Sequence, residues 1–409
     1  MNVRKMSIDQ QVVYLMQGTN YGDETLKEQM AKELRERLIE AEKEGRPLRV
    51  YCGFDPRTSD LHLGHTVPMR KLRQFQELGH EVIFLIGNYT SLIGDPSDKD
   101  KLRPQLTPEE VEANARTYAE QAFKILDPEK TIIEYNAKWL SKLTFADLIK
   151  LGSLFTVQQF LTRENFRKRW EKGDPIYLHE TFYAIMQGYD AYMLRADVQV
   201  GGTDQLFNIV TAARKLMTAL GAKPNIAIIL DILPGTDGEI KMSKSLGNHI
   251  PLLSTPEDMY GKLMSIPDKA MGAYMRLLTR WTPPEIEDLE RGMAEGRLNP
   301  RDVKMKLARE IVAIYHGEEA AQRAEEHFVR VFQKHALPKE IPEYRLQAEQ
   351  TLLEVMVDAG LVKSRSEGRR LAKQRGVRLD GEVVAEIEQP ARPGVLRVGK
   401  RKFLRLVAG

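Results

Sequence analysis

Apolar positions along this chain fall into two textures. Short apolar runs in "LRVYCGFD", "EVIFLIG", "TIIEY" and "IAIILDIL" read as buried strands. Between them lie stretches with helical spacing. In "HTVPMRKLRQFQELGH", Met69, Leu72, Phe75 and Leu78 share one stripe, and Gly79 follows as a stop. "TPEEVEANARTYAEQAFKIL" and "TDQLFNIVTAARKLMTALG" are of the same kind, and "LKEQMAKELRERLIEAEKEG" predicts a helix that ends at Gly45. Strands alternating with helices predict an α/β fold, a Rossmann-like parallel sheet with crossover helices. Ligands of such sheets sit beyond the carboxyl ends of the strands.

From about Thr255 the strand signals stop, and "EDMYGKLMSI", "AYMRLLTRW", "PEIEDLERGMAEG" and "DVKMKLAREIVAIYHG" read as helices. The stretch His335 to Gln350 holds two prolines and little periodicity, which predicts a linker. After it, "TLLEVMVDAGLVKSRSEGRRLAKQRGVRLDGEVV" predicts two short helices, then a strand and a turn. The expected division is an N-terminal helical segment (1–45), a nucleotide-binding domain (46–250), a helical domain (251–334), a linker (335–350) and a small α+β domain (351–409).

Composition adds compartment and partner. No apolar run reaches the ~20 residues that span a bilayer, and the N-terminus lacks the continuous apolar core of a secretory signal. The one cysteine, Cys52, excludes an internal disulfide and a thiolate-rich zinc site. A cytoplasmic protein is expected. The formal charge is +3, but residues 351–409 hold thirteen Lys and Arg against seven Asp and Glu. That net of +6 leaves −3 for the other 350 residues. A basic tail domain on a mildly acidic body points to a polyanionic partner, or to a solvated basic surface.

The first candidate for chemistry is "GFDPRTSDLHLGH", directly after the first strand. Its glycines and Pro56 shape a turn, and Asp60 is a candidate N-cap for a helix beginning near His62. Three readings stand: a metal site, a plain helix cap, or a phosphate grip at a helix N-terminus with two imidazoles adding donors. A metal site needs a third and fourth ligand that this histidine-poor chain does not supply, so no metal centre is expected. The second candidate is "GTDGEIKMSKSLGN", where three glycines and two lysines make a cationic loop. Such lysines neutralise charge that builds on a transferring phosphoryl group. Alone, this loop is equally consistent with an ordinary charged surface.

"HLGH" after the first strand and "KMSKS" after the last resemble the paired signatures of class I aminoacyl-tRNA synthetases. "YCGFDP", "LIGDPS", "YAIMQGYD", "VGGTDQ", "SRSEGRRLAKQRGVRLDGE" and "VGKRKFLRL" narrow the resemblance to the bacterial-type tyrosyl-tRNA synthetases, over nearly the whole chain. The resemblance implies activation of L-tyrosine by ATP, with magnesium accompanying the nucleotide, and transfer of the tyrosyl group to tRNA(Tyr). It also implies a homodimer.

It implies site residues as well. His62 and His65 would contact the phosphate and ribose region of ATP, and Lys241 and Lys244 would close over pyrophosphate, helped by Lys99 and Arg103. Gly53, Asp55, Gly64, Asp204 and Gln205 complete the ATP site. Asp95, Tyr183, Gln187 and Gln199 would hold the tyrosine ammonium, and Tyr51 and Asp190 its phenol. Tyr183, Gln187 and Asp190 share one helical face. Phenylalanine would leave Asp190 and Tyr51 unpartnered, which costs more than a missing contact. Two positions depart from the pattern. Arg57 stands where many members have threonine, with Thr58 as a possible substitute, and "TDQLFNI" lacks a frequent tryptophan.

Arg365, Arg369, Arg370, Lys373, Arg375 and Arg378, with Lys400, Arg401 and Lys402, form the expected RNA-binding set of the last domain. Two alternatives compete. A tryptophanyl-tRNA synthetase shares fold and signatures, but the Tyr51 and Asp190 pair and the appended basic domain argue against it. A non-catalytic RNA-binding protein on the same scaffold is disfavoured by the intact signatures.

Overall fold

Helix formation begins at Ser7, whose hydroxyl and the Gln10 side chain cap each other's backbone to open α1 (Ile8–Met16). Asp23 accepts from the amides of Thr25 and Leu26 and opens α2 (Glu24–Glu44), which Gly45 ends at φ 63°. The N-terminal run expected as continuously helical is thus two helices, parted at Gly18 and Gly22, both left-handed. The computed structural model describes residues 5–56, 60–97, 107–333, 341–347, 349–384, 386–399 and 402–408. The chain forms two units, residues 1–325 and 326–409.

The first unit is built on five strands: β1 (Arg49–Phe54), β2 (Glu81–Ile86), β3 (Thr131–Tyr135), β4 (Val198–Gly202) and β5 (Ile226–Leu230). All pair in parallel, in the order β3-β2-β1-β4-β5. Val82 to Ile86 and Ile226 to Leu230 are almost wholly buried, as strands covered on both faces require. Four of the strands match the apolar runs. β4 does not, because its "VQVGG" carries a glutamine and two glycines where an apolar run would be sought.

α3 (Leu63–Glu77) crosses from β1 to β2, α4 (Pro108–Ala122) precedes β3, and α5 (Leu178–Met193) precedes β4. The strand order runs outward in both directions from the β1–β4 pair. That switch point opens a crevice beyond the carboxyl ends of those two strands. Both strands are fixed at their other end by Asp197. Its carboxylate takes Arg37 Nη1 at 2.9 Å, Arg46 Nη1 at 2.8 Å and the Arg49 amide at 2.9 Å. Burial pushes the Asp197 carboxyl up, but these donors outweigh it and hold it below the ordinary value. Removing Asp197 would strand the buried Arg37 guanidinium, at a cost of about 3–5 kcal/mol.

The helices after Thr255 (Pro256–Leu263, Met271–Leu278, Pro283–Ala294, Pro300–His316 and Glu318–Phe328) mostly fall in the same unit as the sheet. The Leu63 amide donates to the Ile250 carbonyl at 3.0 Å, and the Leu252 amide to Leu61 at 2.9 Å. The segment leaving the lysine loop is thereby laced to the start of α3.

The second unit holds α6 (Leu352–Asp358), α7 (Arg365–Lys373) and a small sheet in the order β6-β10-β9-β7-β8. Its strands are β6 (Glu343–Arg345), β7 (Val377–Leu379), β8 (Glu382–Val383), β9 (Gly394–Val398) and β10 (Lys402–Val407). Leu353, Val355, Met356, Val377, Leu396 and Leu406 form its core. A Cβ on Gly368 would lie 2.5 Å from Leu353 Cδ1, so this glycine lets α7 close on α6. The expected linker is corrected in part. Glu343–Arg345 is a strand, paired in parallel with β10, and a three-residue edge beside Pro342 leaves no readable period.

Candidate active site

α3 starts at His62. The His62 Nδ1 accepts from the Gly64 amide at 3.1 Å, and the His65 Nδ1 accepts from the His62 amide at 3.2 Å. This corrects the expectation for Asp60: the histidine caps the helix, and Asp60 instead takes Lys244 Nζ at 2.9 Å. With Nδ1 of each ring used as an acceptor, a neutral imidazole carries its proton on Nε2. Burial, aided by His65, His249, Lys244 and Lys241, pushes His62 down to about 2, so it stays neutral. The two ring centroids lie 3.8 Å apart with the planes tilted by 39°, and His249 stands edge-on to His62 at 6.1 Å. A Cβ on Gly64 would come within 2.9 Å of the His62 ring and 3.6 Å of Met242 Cβ. Glycine in "HLGH" therefore makes room for the His62 ring, with Met242 of the lysine loop in ordinary contact beyond it.

That loop is held by Asn248, which no sequence signal singled out. Asn248 accepts from the Ser243 amide at 2.8 Å and donates to Asp237 and to the carbonyls of Ile240 and Lys241. It packs so tightly that a Cβ on Gly235 would lie 2.2 Å from its amide. The buried Met242 anchors the middle of the loop and leaves Lys241 and Lys244 partly exposed on either side. Lys241 Nζ lies 3.6 Å from Asp204, on the turn after β4.

These groups line one cleft of about 670 Å³ at the switch point. Gly53, Asp55, Asp204 and Gln205 line it too, with Tyr51, Asp95, Tyr183, Gln187 and Asp190. Gln199 does not: it is buried within β4, and its amide oxygen accepts from Asn225 at 2.7 Å. The chain pairs Gln199 with Tyr51 in the sheet, but the pairing satisfies Gln199 inside the fold. Lys99, Arg103, Arg57 and Thr58 lie outside the described residues.

The inner end of the cleft is a buried carboxylate. Asp190 accepts from Trp139 Nε1 at 2.7 Å and from Asn136 Nδ2 at 3.1 Å. Burial pushes it up to about 7 against those two donors. Tyr51 is the third residue of β1. Its hydroxyl points to the Gln187 carbonyl at 3.5 Å, and burial, then Asp190, push it well above its usual value. Toward the mouth, Tyr183 donates to Asp55 at 3.0 Å, and Gln205 donates to Asp95. Buried Asn208 donates to Gln187 Oε1 at 2.9 Å and to Gln205 Oε1 at 3.1 Å. Arg163 donates to Ser97 at 2.6 Å, which steadies the segment bearing Asp95. Asn136, Trp139, Thr90, Asn208 and Arg163 were missed, because no local motif surrounds them. Among the described residues, no group of three or more His, Cys, Asp or Glu side chains is arranged to hold a metal ion.

In the second unit the basic residues are not equivalent. Arg365 pairs with Glu354 at 3.4 Å and Arg369 with Glu388 at 2.8 Å. Lys402 is turned to the carbonyls of Gly360 and Leu361. Arg370, Lys373 and Arg375 are exposed at the end of α7 and just past it. Lys400 and Arg401 lie outside the described residues.

A family model described as "tRNA synthetases class I (W and Y)" matches residues 43–333, and an S4 domain model matches residues 350–395. The tyrosine--tRNA ligase of Thermotoga maritima is 50% identical over 377 residues, covering 91% of this chain and 94% of that protein. That of Carboxydothermus hydrogenoformans is 50% identical over 386 residues, 92% of this chain and 94% of its own length. Among solved structures, a C-terminally truncated Aspergillus nidulans mitochondrial tyrosyl-tRNA synthetase aligns with a TM-score of 0.63 at 23% identity. It covers 80% of this chain and 95% of that one, a likeness of fold.

Proposed function

The chain belongs to the tyrosine--tRNA ligase family of class I synthetases, and from that premise we propose how its cleft joins L-tyrosine to ATP and delivers the tyrosyl group to tRNA(Tyr). A carboxylate oxygen of tyrosine attacks the α-phosphorus, the bond to the β,γ-pyrophosphate breaks, and tyrosyl-adenylate forms. The terminal ribose hydroxyl of the tRNA then attacks the acyl carbon and releases AMP. Neither step needs a nucleophile from the protein, so the cleft acts by positioning and by placing charge.

The observation that carries this reading is the shared cleft. His62, His65, Lys241, Lys244 and Asp190 all line it, which brings imidazoles, ammonium groups and a buried carboxylate to one cleft. The Nε2–H groups meet the phosphates as charge builds, and the two ammonium groups exchange Asp204 and Asp60 for the departing pyrophosphate. Tyr183, Asp95 and Gln187 take the tyrosine ammonium, while Asp190 accepts from the phenol. Magnesium enters with ATP. Bound there, it would add positive charge against the phosphates, with Asp60 and Asp204 the carboxylates that face the lysines.

Arg370, Lys373 and Arg375 supply phosphate contacts to the tRNA. A homodimer is supported by exposed apolar side chains between β3 and the start of α5: Phe145 is 78% exposed, Val157 70% and Leu178 73%. Phe145→Asp should then yield monomers in light scattering. A cytoplasmic location is supported by the single, buried Cys52, and no helix among the described residues is long and apolar enough to cross a membrane. Amino-acid-dependent exchange of pyrophosphate into ATP tests the activity. Exchange with tyrosine is expected, and exchange with tryptophan instead would overturn it.

A further inference from the structure

Asp190 and Asp55 both line the proposed tyrosine pocket, and one chain of hydrogen bonds joins them. Asn136 stands in its middle, with its side chain fully committed. Its Oδ1 accepts from the Tyr89 amide at 2.9 Å, which fixes the amide orientation and turns Nδ2 inward. The two hydrogens of Nδ2 then go to Asp190 Oδ2 at 3.1 Å and to Thr90 Oγ1 at 3.1 Å. Because Thr90 Oγ1 accepts from Asn136, its own hydrogen is free to point away, toward Asp55 Oδ1 at 2.8 Å. The Gly87 carbonyl, at 3.2 Å, is the weaker competitor, since a carboxylate makes the stronger bond. Asp55 Oδ2 in turn accepts the Tyr183 hydroxyl hydrogen at 3.0 Å. That leaves a lone pair of the Tyr183 oxygen for an ammonium group.

Asn136, Thr90 and Asp190 are all 3% exposed or less, so these three members are shielded from bulk water, while Asp55 is half-buried. The chain also explains Gly87. A Cβ there would lie 2.3 Å from Asp55 Oδ1 and 2.4 Å from Thr90 Oγ1, and Gly87 is not in the left-handed region. Glycine is required by the closeness of that hydrogen bond, not by backbone conformation.

We infer that Thr90 is a positioning residue whose hydroxyl ties the phenol-reading carboxylate to the ammonium-reading Tyr183, so that both ends of the amino acid are held in one register. The inference rests on reading the cleft as a tyrosine-activating site. Thr90→Val keeps the shape and removes the hydroxyl. It leaves a buried Asn136 N–H without its acceptor and removes the Thr90 donor from Asp55, which should raise the KM for tyrosine in pyrophosphate exchange by roughly 10- to 100-fold. Thr90→Ser keeps the hydroxyl and should stay within about threefold of wild type.

The decisive comparison is made in a Tyr183→Phe background. If Thr90 acts through Asp55 and Tyr183, adding Thr90→Val changes KM there by less than about threefold. A wild-type KM in Thr90→Val overturns the inference, as does full additivity with Tyr183→Phe. A defect in Thr90→Ser as large as that of Thr90→Val overturns it too, and that variant is informative even if the valine protein does not fold. Absence of tyrosine-dependent exchange in the wild type would instead refute the reading of the cleft.

Discussion

The Lys244 ammonium donates to the Asp60 carboxylate at 2.9 Å, across 184 residues of chain. Lys241 makes the matching contact with Asp204. Lys241 thus meets a carboxylate that lines the cleft, and Lys244 meets one two residues before His62. The Asp60–Lys244 pair is largely solvent-exposed, so its strength is modest. Asp60→Asn should leave the melting temperature nearly unchanged and lower the KM for ATP by no more than about fivefold. A weaker hold on ATP in this variant would show that Asp60 assists the nucleotide rather than competing with it.

Lys241→Ala and Lys244→Ala remove charge that matters most as pyrophosphate departs. Each should lower the kcat of exchange by roughly 100- to 1,000-fold while changing the KM for tyrosine little. Rapid-quench measurement of adenylate formation separates the two parameters. A rise in tyrosine KM at normal kcat would place the lysines in the wrong half of the cleft.

Asp190 carries a pH signature. Burial holds it up near 7, whereas its ordinary value is 3.8. Between those values the folded protein binds more protons than the unfolded chain. The stability this group contributes is therefore complete below about 4 and is lost as pH rises toward 7. Binding runs the other way, because the ionised carboxylate accepts the phenol hydrogen bond more strongly than the neutral acid does. The KM for tyrosine should fall as pH rises from about 6 to 8, and Asp190→Asn should abolish that step. A flat wild-type profile would mean that another group reads the phenol.

On the basic unit, Arg370→Ala, Lys373→Ala and Arg375→Ala should each weaken tRNA charging and reduce the salt dependence of binding by about one phosphate contact. Arg365→Ala and Arg369→Ala should do less, because Glu354 and Glu388 already engage those side chains. Deleting residues 351–409 should leave pyrophosphate exchange intact and collapse charging. Equal effects across all five arginine and lysine positions would make the surface one undifferentiated field.

Much of this was legible in the sequence where chemistry is written locally. "HLGH" follows an apolar run, "KMSKS" sits in a glycine-framed loop, and Tyr183, Gln187 and Asp190 repeat with helical spacing. What stayed hidden depends on long-range contact. Asn136 and Trp139 precede Asp190 by more than fifty residues, and only the packing of β3 beside β2 brings them to it. Gln199 shows the converse. The family resemblance implied it as a ligand, but the fold buries it in β4, where its amide oxygen accepts from Asn225 on the neighbouring strand's approach. Asp60 was read as a helix cap, because side chains that cap well also pair well with lysine, and only the fold decides between the two.

The most direct test of the central claim is to trap the intermediate. Purified protein mixed with ATP and radiolabelled tyrosine, with pyrophosphatase present, should retain tyrosyl-adenylate at about one per active cleft after rapid gel filtration. Asp190→Ala should retain little. Retention of labelled tryptophan in place of tyrosine, or of no adenylate at all, would contradict the account.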